Sequence, residues 1–434
     1  MNLLRSKNAQ NAIWLIAGKI VQSLLALVVN MLTARYLGPS NYGIISYAAS
    51  IVAFVVPIMN LGFSNVLVQE FVNHPEEEGK ILGTSITLST ISAVACICGV
   101  TTYTFLVDAN EIETNIVVIL YSLMLIAQAF ELIQYWYQYK LMSKYMSVVS
   151  LIAYAIVSIY KFVLLATGKN VFWFAISYSI DYALIAICLC VIYKKLGGSK
   201  ISFDFNTAKR MFSSSKHYII SSLMVTIFAQ TDKVMIKLMI DEVAVGYYSA
   251  AVACAGLTSF VFVAIIDSMR PSIFAYKQSN DFVSYEKAIA RTYCLVIYLA
   301  LAQSVVMTFL AKYIIRILYG TAYSHSVLAL QIIVWYTTFS YIGSVRNVWI
   351  LGENKQKYLW CLNLGGALMN VILNFVLIPP MGIYGAAIAS LITQIFTNII
   401  MNVIVWPLRH NNKLILKGLN PLIVLELFKR GKSK

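Results

Sequence analysis

Two lysines, Lys19 and Lys233, interrupt long apolar runs in opposite halves of the chain. A cation in such a run is costly unless it faces an internal aqueous path or binds an anion. Each belongs to a stripe of polar side chains. At helical pitch Lys19, Gln22, Ser23, Asn30 and Thr33 fall within an arc of about 100°, and Ser222, Thr226, Gln230, Lys233 and Lys237 within about 80°. Matching stripes headed by cations point to a polar cavity that accepts negative charge. The competing reading is that the neutral members hydrogen-bond neighbouring helices together, which accounts poorly for the lysines.

Other titratable groups add candidates. Lys161 shares a face with Ser147, Ser150, Tyr154 and Ser158, and Asp181 is placed either to pair with it or to meet substrate. Arg346, on a face with Trp335 and Phe339, offers a bidentate phosphate contact or a side chain that snorkels to the headgroups. Asp232 is either the partner of Lys233 or, with Glu131, a proton or cation site. The faces Asn363–Asn370–Asn374 and Ser390–Gln394–Asn398 look like interhelical hydrogen bonding.

The elements that must position these residues are membrane spans. With 434 residues, 60% hydrophobic and 12% charged, the chain has too little polar surface for a soluble protein of its length. Apolar windows give about twelve spans, near 12–34, 42–63, 81–107, 114–136, 146–167, 171–193, 217–240, 243–268, 292–311, 326–351, 357–378 and 383–406. The net charge of +15 does not point to nucleic acid, because the lysines and arginines gather in alternate short loops. That asymmetry places both termini on the cytoplasmic side. The fold expected is therefore an all-α polytopic membrane protein.

The loop 194–216 reads as a cytoplasmic linker between six-helix lobes at 1–193 and 217–406. The residues from 407 to 434 form a basic tail, in which Leu414 to Phe428 reads as an interfacial helix on anionic lipid. Gly43-Ile44-Ile45-Ser46-Tyr47-Ala48 and Gly246-Tyr247-Tyr248-Ser249-Ala250-Ala251 open the second and eighth spans. Six spans separate them, so the lobes relate by a pseudo-two-fold axis along the membrane normal.

No nucleotide-binding, metalloprotease or serine-hydrolase motif occurs, and the four histidines are scattered. The seven cysteines read as small buried hydrophobes. Neither an enzyme, a resident cofactor nor a metal centre is expected.

The run Ala34-Arg35-Tyr36-Leu37-Gly38-Pro39-Ser40-Asn41-Tyr42-Gly43, with Asn60-Leu61-Gly62-Phe63, resembles the polysaccharide-export branch of the multidrug/oligosaccharidyl-lipid/polysaccharide flippase superfamily. So do Gln230-Thr231-Asp232-Lys233 and Tyr384-Gly385-Ala386-Ala387-Ile388-Ala389. Similarity to Wzx-type O-antigen flippases implies a multi-pass protein of the bacterial inner membrane. Its cargo would be an undecaprenyl-diphosphate-linked oligosaccharide, moved to the periplasmic leaflet by alternating access through a cationic cavity. Lys19, Lys233, Arg35, Lys161 and Arg346 would meet diphosphate or acidic sugar, and Gln22, Ser23, Asn30 and Gln230 the glycan. Coupling to H+ or Na+ is an expectation resting on Asp232, Asp181 and Glu131. Partners expected are membrane lipids, a polysaccharide polymerase and other assembly proteins. The competing functions are a multidrug or metabolite exporter of the same fold and an O-antigen polymerase or ligase.

Overall fold

The computed structural model describes the backbone of residues 7–421 and the side chains of residues 25–421. The described residues form helices and turns throughout, and eleven helices are long and apolar enough to cross a membrane. Two compact units, Met1–Gln230 and Thr231–Lys434, divide the chain.

The first unit begins with α1 (Lys7–Met59). A helix of 53 residues would be ~80 Å long, more than twice a bilayer core of ~30 Å. It is broken at Gly38, whose φ of 73° and ψ of 174° are non-helical, and Pro39 follows directly. A side chain at that position would be strained, so glycine permits the bend. The spans expected at 12–34 and 42–63 fall on either side of this bend, the second running past the end of α1, and the candidate spans among the described residues number eleven against the twelve expected.

After α2 (Leu67–Asn73) come α3 (Glu78–Val107) and a span in three segments, α4 (Ile112–Ser122), α5 (Met124–Glu131) and α6 (Ile133–Tyr139). Then follow α7 (Ser143–Ala166), α8 (Val171–Lys195) and α9 (Phe205–Met239). One core of this unit gathers Phe63, Phe71, Leu82, Trp136, Tyr193 and Met211. The Trp136 indole meets the rings of Tyr137 and Tyr193 edge-on and donates to Glu78 Oε2 at 2.8 Å.

The division between units lies inside α9, not at residues 194–216. The reason is a clamp that ties the loop before α9, and its first turns, to the first unit. Arg210 bonds Glu70 at 3.0 Å and Glu77 at 2.7 Å, and Ser202 donates its amide to Gly79 O at 3.2 Å. Asp204 caps the helix start; the Thr207 amide and hydroxyl hold its carboxyl below the usual carboxylate range.

The second unit contains the end of α9, then α10 (Glu242–Ala255), α11 (Ser259–Gln278), α12 (Phe282–Leu318) and α13 (Ser326–Gly352). Next come α14 (Leu359–Met381) and α15 (Ile383–Ile395), divided at Gly382 where the sequence placed the turn. Residues Phe396–Ile400 wind as a π-helix into α16 (Met401–Ile404), and α17 (Arg409–Gly418) closes the described chain. The core holds Tyr285, Tyr293, Trp349 and Leu362, with the Phe262 and Tyr341 rings stacked at 3.9 Å.

Leu408, Leu414 and Ile415 belong to this core. The helix expected at Leu414 to Phe428 starts earlier, at Arg409; Leu414 and Ile415 pack on protein, while Leu416 and Leu419 are exposed. Residues 422–434 of the expected tail lie outside the described residues. The cysteines also divide: Cys96, Cys254 and Cys294 are buried, whereas Cys98 and Cys188 are exposed on span surfaces, where hydrocarbon tolerates them.

Candidate functional site

Asp232 is the most densely bonded carboxylate among the described residues, and it sits within the second unit. It lies on α9, buried, one residue before Lys233. Asn370 Nδ2 donates to Oδ1 at 2.9 Å and Asn374 Nδ2 at 2.6 Å, both from α14. Tyr248 Oη, from α10, donates to Oδ2 at 2.5 Å, and Ser390 Oγ, from α15, donates to the same atom. Asn374 Nδ2 also reaches Asn370 Oδ1 at 3.1 Å, as their i,i+4 spacing on α14 allows.

Three helices thus place four donors on a carboxylate of the fourth. All five side chains are less than a tenth exposed. Oxygen donors of this kind suit a hard cation or a proton. Each asparagine presents an oxygen as readily as an amide nitrogen by turning end for end. Asn374 Oδ1 is already buried without a hydrogen-bond partner. Of the two faces read from the sequence as interhelical hydrogen bonding, Asn370, Asn374 and Ser390 converge on one acid, whereas Asn398 bonds Phe339 O and Gln394 instead. Tyr248 was not singled out for this role, because its aim at Asp232 follows from packing and not from spacing.

The rest of the polar stripe on α9 is engaged more simply. Lys237 is buried and pairs with Glu242 at the start of α10 at 3.1 Å. Thr226 bonds back to Ser222 O at 3.0 Å, and Lys233 is partly buried. In the first unit, Gln230 accepts from Ser50 of α1 at 3.1 Å, which is the interhelical role weighed against a cavity role. Arg346 is buried in the second unit and does not snorkel. Its Nη1 donates to Thr397 O at 2.8 Å inside the π-helical turn, and Nη2 donates to Asn347 Oδ1 at 3.1 Å. Its Nε has no hydrogen-bond partner.

A second charged group lies in the first unit. Lys161 of α7 is 3% exposed, and its ammonium stands 4.0 Å from the ring centroid of Tyr178 on α8. That geometry gives a cation–π contact. The Tyr178 hydroxyl reaches Asn30 Oδ1 at 3.5 Å, so one member of the α1 stripe joins this group. Asp181 follows one turn after Tyr178. It lies within electrostatic range of Lys161 and of Glu131, yet its Oδ1 is buried without a hydrogen-bond partner. Glu131 lines a cavity of about 70 Å³ with Asn60, Gln128, Gln134 and Tyr135.

Arg35 is exposed just before the Gly38 bend. Lys19, Gln22 and Ser23 belong to α1, but their side chains lie outside the described residues. Among the described residues no group of three or more His, Cys, Asp or Glu gathers as a metal centre would require.

A family model described as polysaccharide biosynthesis protein matches residues 8–277. A relative from Escherichia coli (strain K12), named "Putative O-antigen transporter", is 21% identical over 96% of this chain and 100% of its own length. The fold is similar to that of a solved structure titled lipid II flippase MurJ, inward closed conformation. The TM-score is 0.73 at 16% identity, over 95% of this chain and 92% of that one. It is also similar to an inward-facing multidrug resistance MATE family transporter of the MOP superfamily. There the TM-score is 0.67 at 13% identity, over 90% and 96% of the two chains.

Proposed function

Because the chain belongs to the polysaccharide biosynthesis protein family, we propose that it is a flippase for a lipid-linked oligosaccharide. Its cargo is an undecaprenyl-diphosphate-linked repeat unit of an O-antigen or similar polysaccharide. The unit moves from the cytoplasmic to the periplasmic leaflet of the bacterial inner membrane, with both termini of the protein cytoplasmic. The family match over residues 8–277 carries this reading, and the relative named for O-antigen transport supports the substrate class.

Transport proceeds by alternating access. The buried ammonium of Lys161 and the partly buried Lys233 offer positive charge to a diphosphate, in the low-dielectric setting where such charge acts most strongly. The product passes to a polysaccharide polymerase and other assembly proteins.

In this reading Asp232 takes the coupling ion, H+ or Na+. Support comes from the four donors around it and from the oxygen that Asn374 holds in reserve. Binding a cation there would turn the amides and release the hydroxyls, which ties ion occupancy to the packing of α9, α10, α14 and α15.

The test is deletion of the gene, with lipid-linked repeat units assayed in each leaflet. Accumulation on the cytoplasmic side, reversed by the intact gene, is the expected outcome. Repeat units that reach the periplasm and stay unpolymerised would instead mark a polymerase or ligase. Coupling is tested in proteoliposomes: flipping that ignores imposed H+ and Na+ gradients would remove the ion role from Asp232.

A further inference from the structure

The second unit carries a groove of about 910 Å³ between the start of α12 and α17. Three lysines, Lys287, Lys413 and Lys417, line it against one acid, Glu286. Lys413 and Lys417 are one helical turn apart on α17 and both exposed. Phe282, Val283 and Leu416 stand at its rim, each more than half exposed.

The groove is a built feature and not the edge of a loose tail. Glu286 on α12 bonds Lys417 at 2.7 Å and His410 at 2.8 Å, both on α17. Tyr293 of α12 donates to Asn411 at 2.8 Å. A Cβ at Gly418 would lie 2.6 Å from Tyr293 Cβ, so only glycine lets the helices approach this closely. The two helices that carry the lysines are thus fixed against each other, so the three side chains stay on one surface.

Its level in the membrane follows from the chain around it. The span Ile383–Ile404 ends immediately before Trp406, which is largely exposed and carries the Arg409 guanidinium 4.2 Å from its ring centroid. Tryptophan paired with arginine at the end of a span marks the headgroup layer. The groove lies on α17, the helix that follows directly, and offers lysines for a phosphate and exposed apolar side chains for the adjoining acyl chains.

We propose that this groove is a binding site for the headgroup of an anionic phospholipid, with the phosphodiester on Lys287, Lys413 and Lys417. The site is separate from Asp232 and from any cargo, and it stands whether or not the flippase reading does. The chain's own residues after Pro421 are a poor occupant. They bring Lys429, Arg430, Lys432 and Lys434 against a single Glu426, the same sign as the groove.

The experiment is native mass spectrometry of the purified full chain, equilibrated in detergent with equal amounts of phosphatidylglycerol and phosphatidylcholine. Phosphatidylglycerol should be retained preferentially. A Lys287→Gln/Lys413→Gln variant should lower that retention by about tenfold or more while leaving phosphatidylcholine unchanged. Lys413→Glu, a single exposed change on α17 that spares its contacts to α12, should lower it further than Lys413→Gln.

Equal retention of the two lipids, or a double variant that matches the wild type, would overturn the proposal. Displacement of the lipid by millimolar inorganic phosphate would assign the groove to a soluble anion and overturn it too. A chain ending at Pro421 that binds several times more phosphatidylglycerol would make the tail the resident occupant, with the same consequence.

Discussion

The two units each carry an aspartate on a membrane span, Asp232 buried and Asp181 partly buried, and they treat it in opposite ways. Asp232 receives four hydrogen bonds from three other helices. Asp181 keeps a buried Oδ1 with no partner, although Lys161 is near enough to act on it. The ammonium of Lys161 rests instead on the face of Tyr178. A carboxylate held by four donors costs little to keep, and its network fixes the helices that supply them. A carboxylate with an open oxygen keeps one acceptor for a group that comes to it, such as a donor on the cargo. The contrast gives Asp232 a preformed cage, so that an ion taken there acts on four helices at once, and leaves Asp181 Oδ1 open to its surroundings.

The largest effect should come from Asp232→Leu. It strands the side-chain donors of Tyr248, Asn370, Asn374 and Ser390 in a dry interior, at about 1–3 kcal/mol for each that finds no new partner. Loss of folded protein after extraction, read by size-exclusion profile and thermal unfolding, is the outcome expected. Asp232→Asn keeps the shape and most of the bonds. It should fold and insert while losing any response of flipping to an ion gradient. A folded, gradient-responsive Asp232→Asn protein would reduce the cluster to packing alone.

Asn374→Ala is the next step down. It removes one donor to Asp232 and leaves the other three, so a loss of about 1–2 kcal/mol in unfolding free energy is expected. If Asn374→Ala destabilises as much as Asp232→Leu, the four bonds act as one unit and the simple count of donors fails.

How much of this was legible follows from distance along the chain. The spans were readable because about 20 apolar residues in a row suffice to define one. The two arms of α1 were readable as the separate windows 12–34 and 42–63, and the break before α15 as the gap between 357–378 and 383–406. The face shared by Asn370 and Asn374 was also in the spacing. Their aim at Asp232, 138 and 142 residues away, was not, because helix packing and not periodicity decides it. The division inside α9 was hidden for the same reason: Arg210 meets Glu70 and Glu77 across 140 and 133 residues. Arg346 shows the converse. Its place near a span end suggested snorkelling, and the carbonyl in the π-helical turn draws it inward instead.

In the first unit, Lys161→Met should cost about 1–2 kcal/mol, since methionine fills the same space but gives up the cation–π contact with Tyr178. Flipping should fall by more than this stability loss explains if the ammonium meets a diphosphate. An unfolding temperature that drops while flipping per folded molecule stays at the wild-type level would make Lys161 structural.

The smallest effect on stability, and the sharpest test of the contrast, belongs to Asp181→Asn. Where the wild-type oxygen has no donor, replacing carboxylate by amide removes a partly buried charge, and no hydrogen bond to Oδ1 is lost. Unfolding should shift by no more than about 0.5 kcal/mol, or move toward greater stability. Flipping should nevertheless change, because the charge facing Lys161 and Glu131 has gone. A destabilisation as large as that of Asn374→Ala would mean that Asp181 is bound as firmly as Asp232, and the distinction between the two clusters would collapse. Unchanged stability with unchanged flipping would leave Asp181 as a tolerated charge. Unchanged stability with altered flipping is the signature of a group kept available for function.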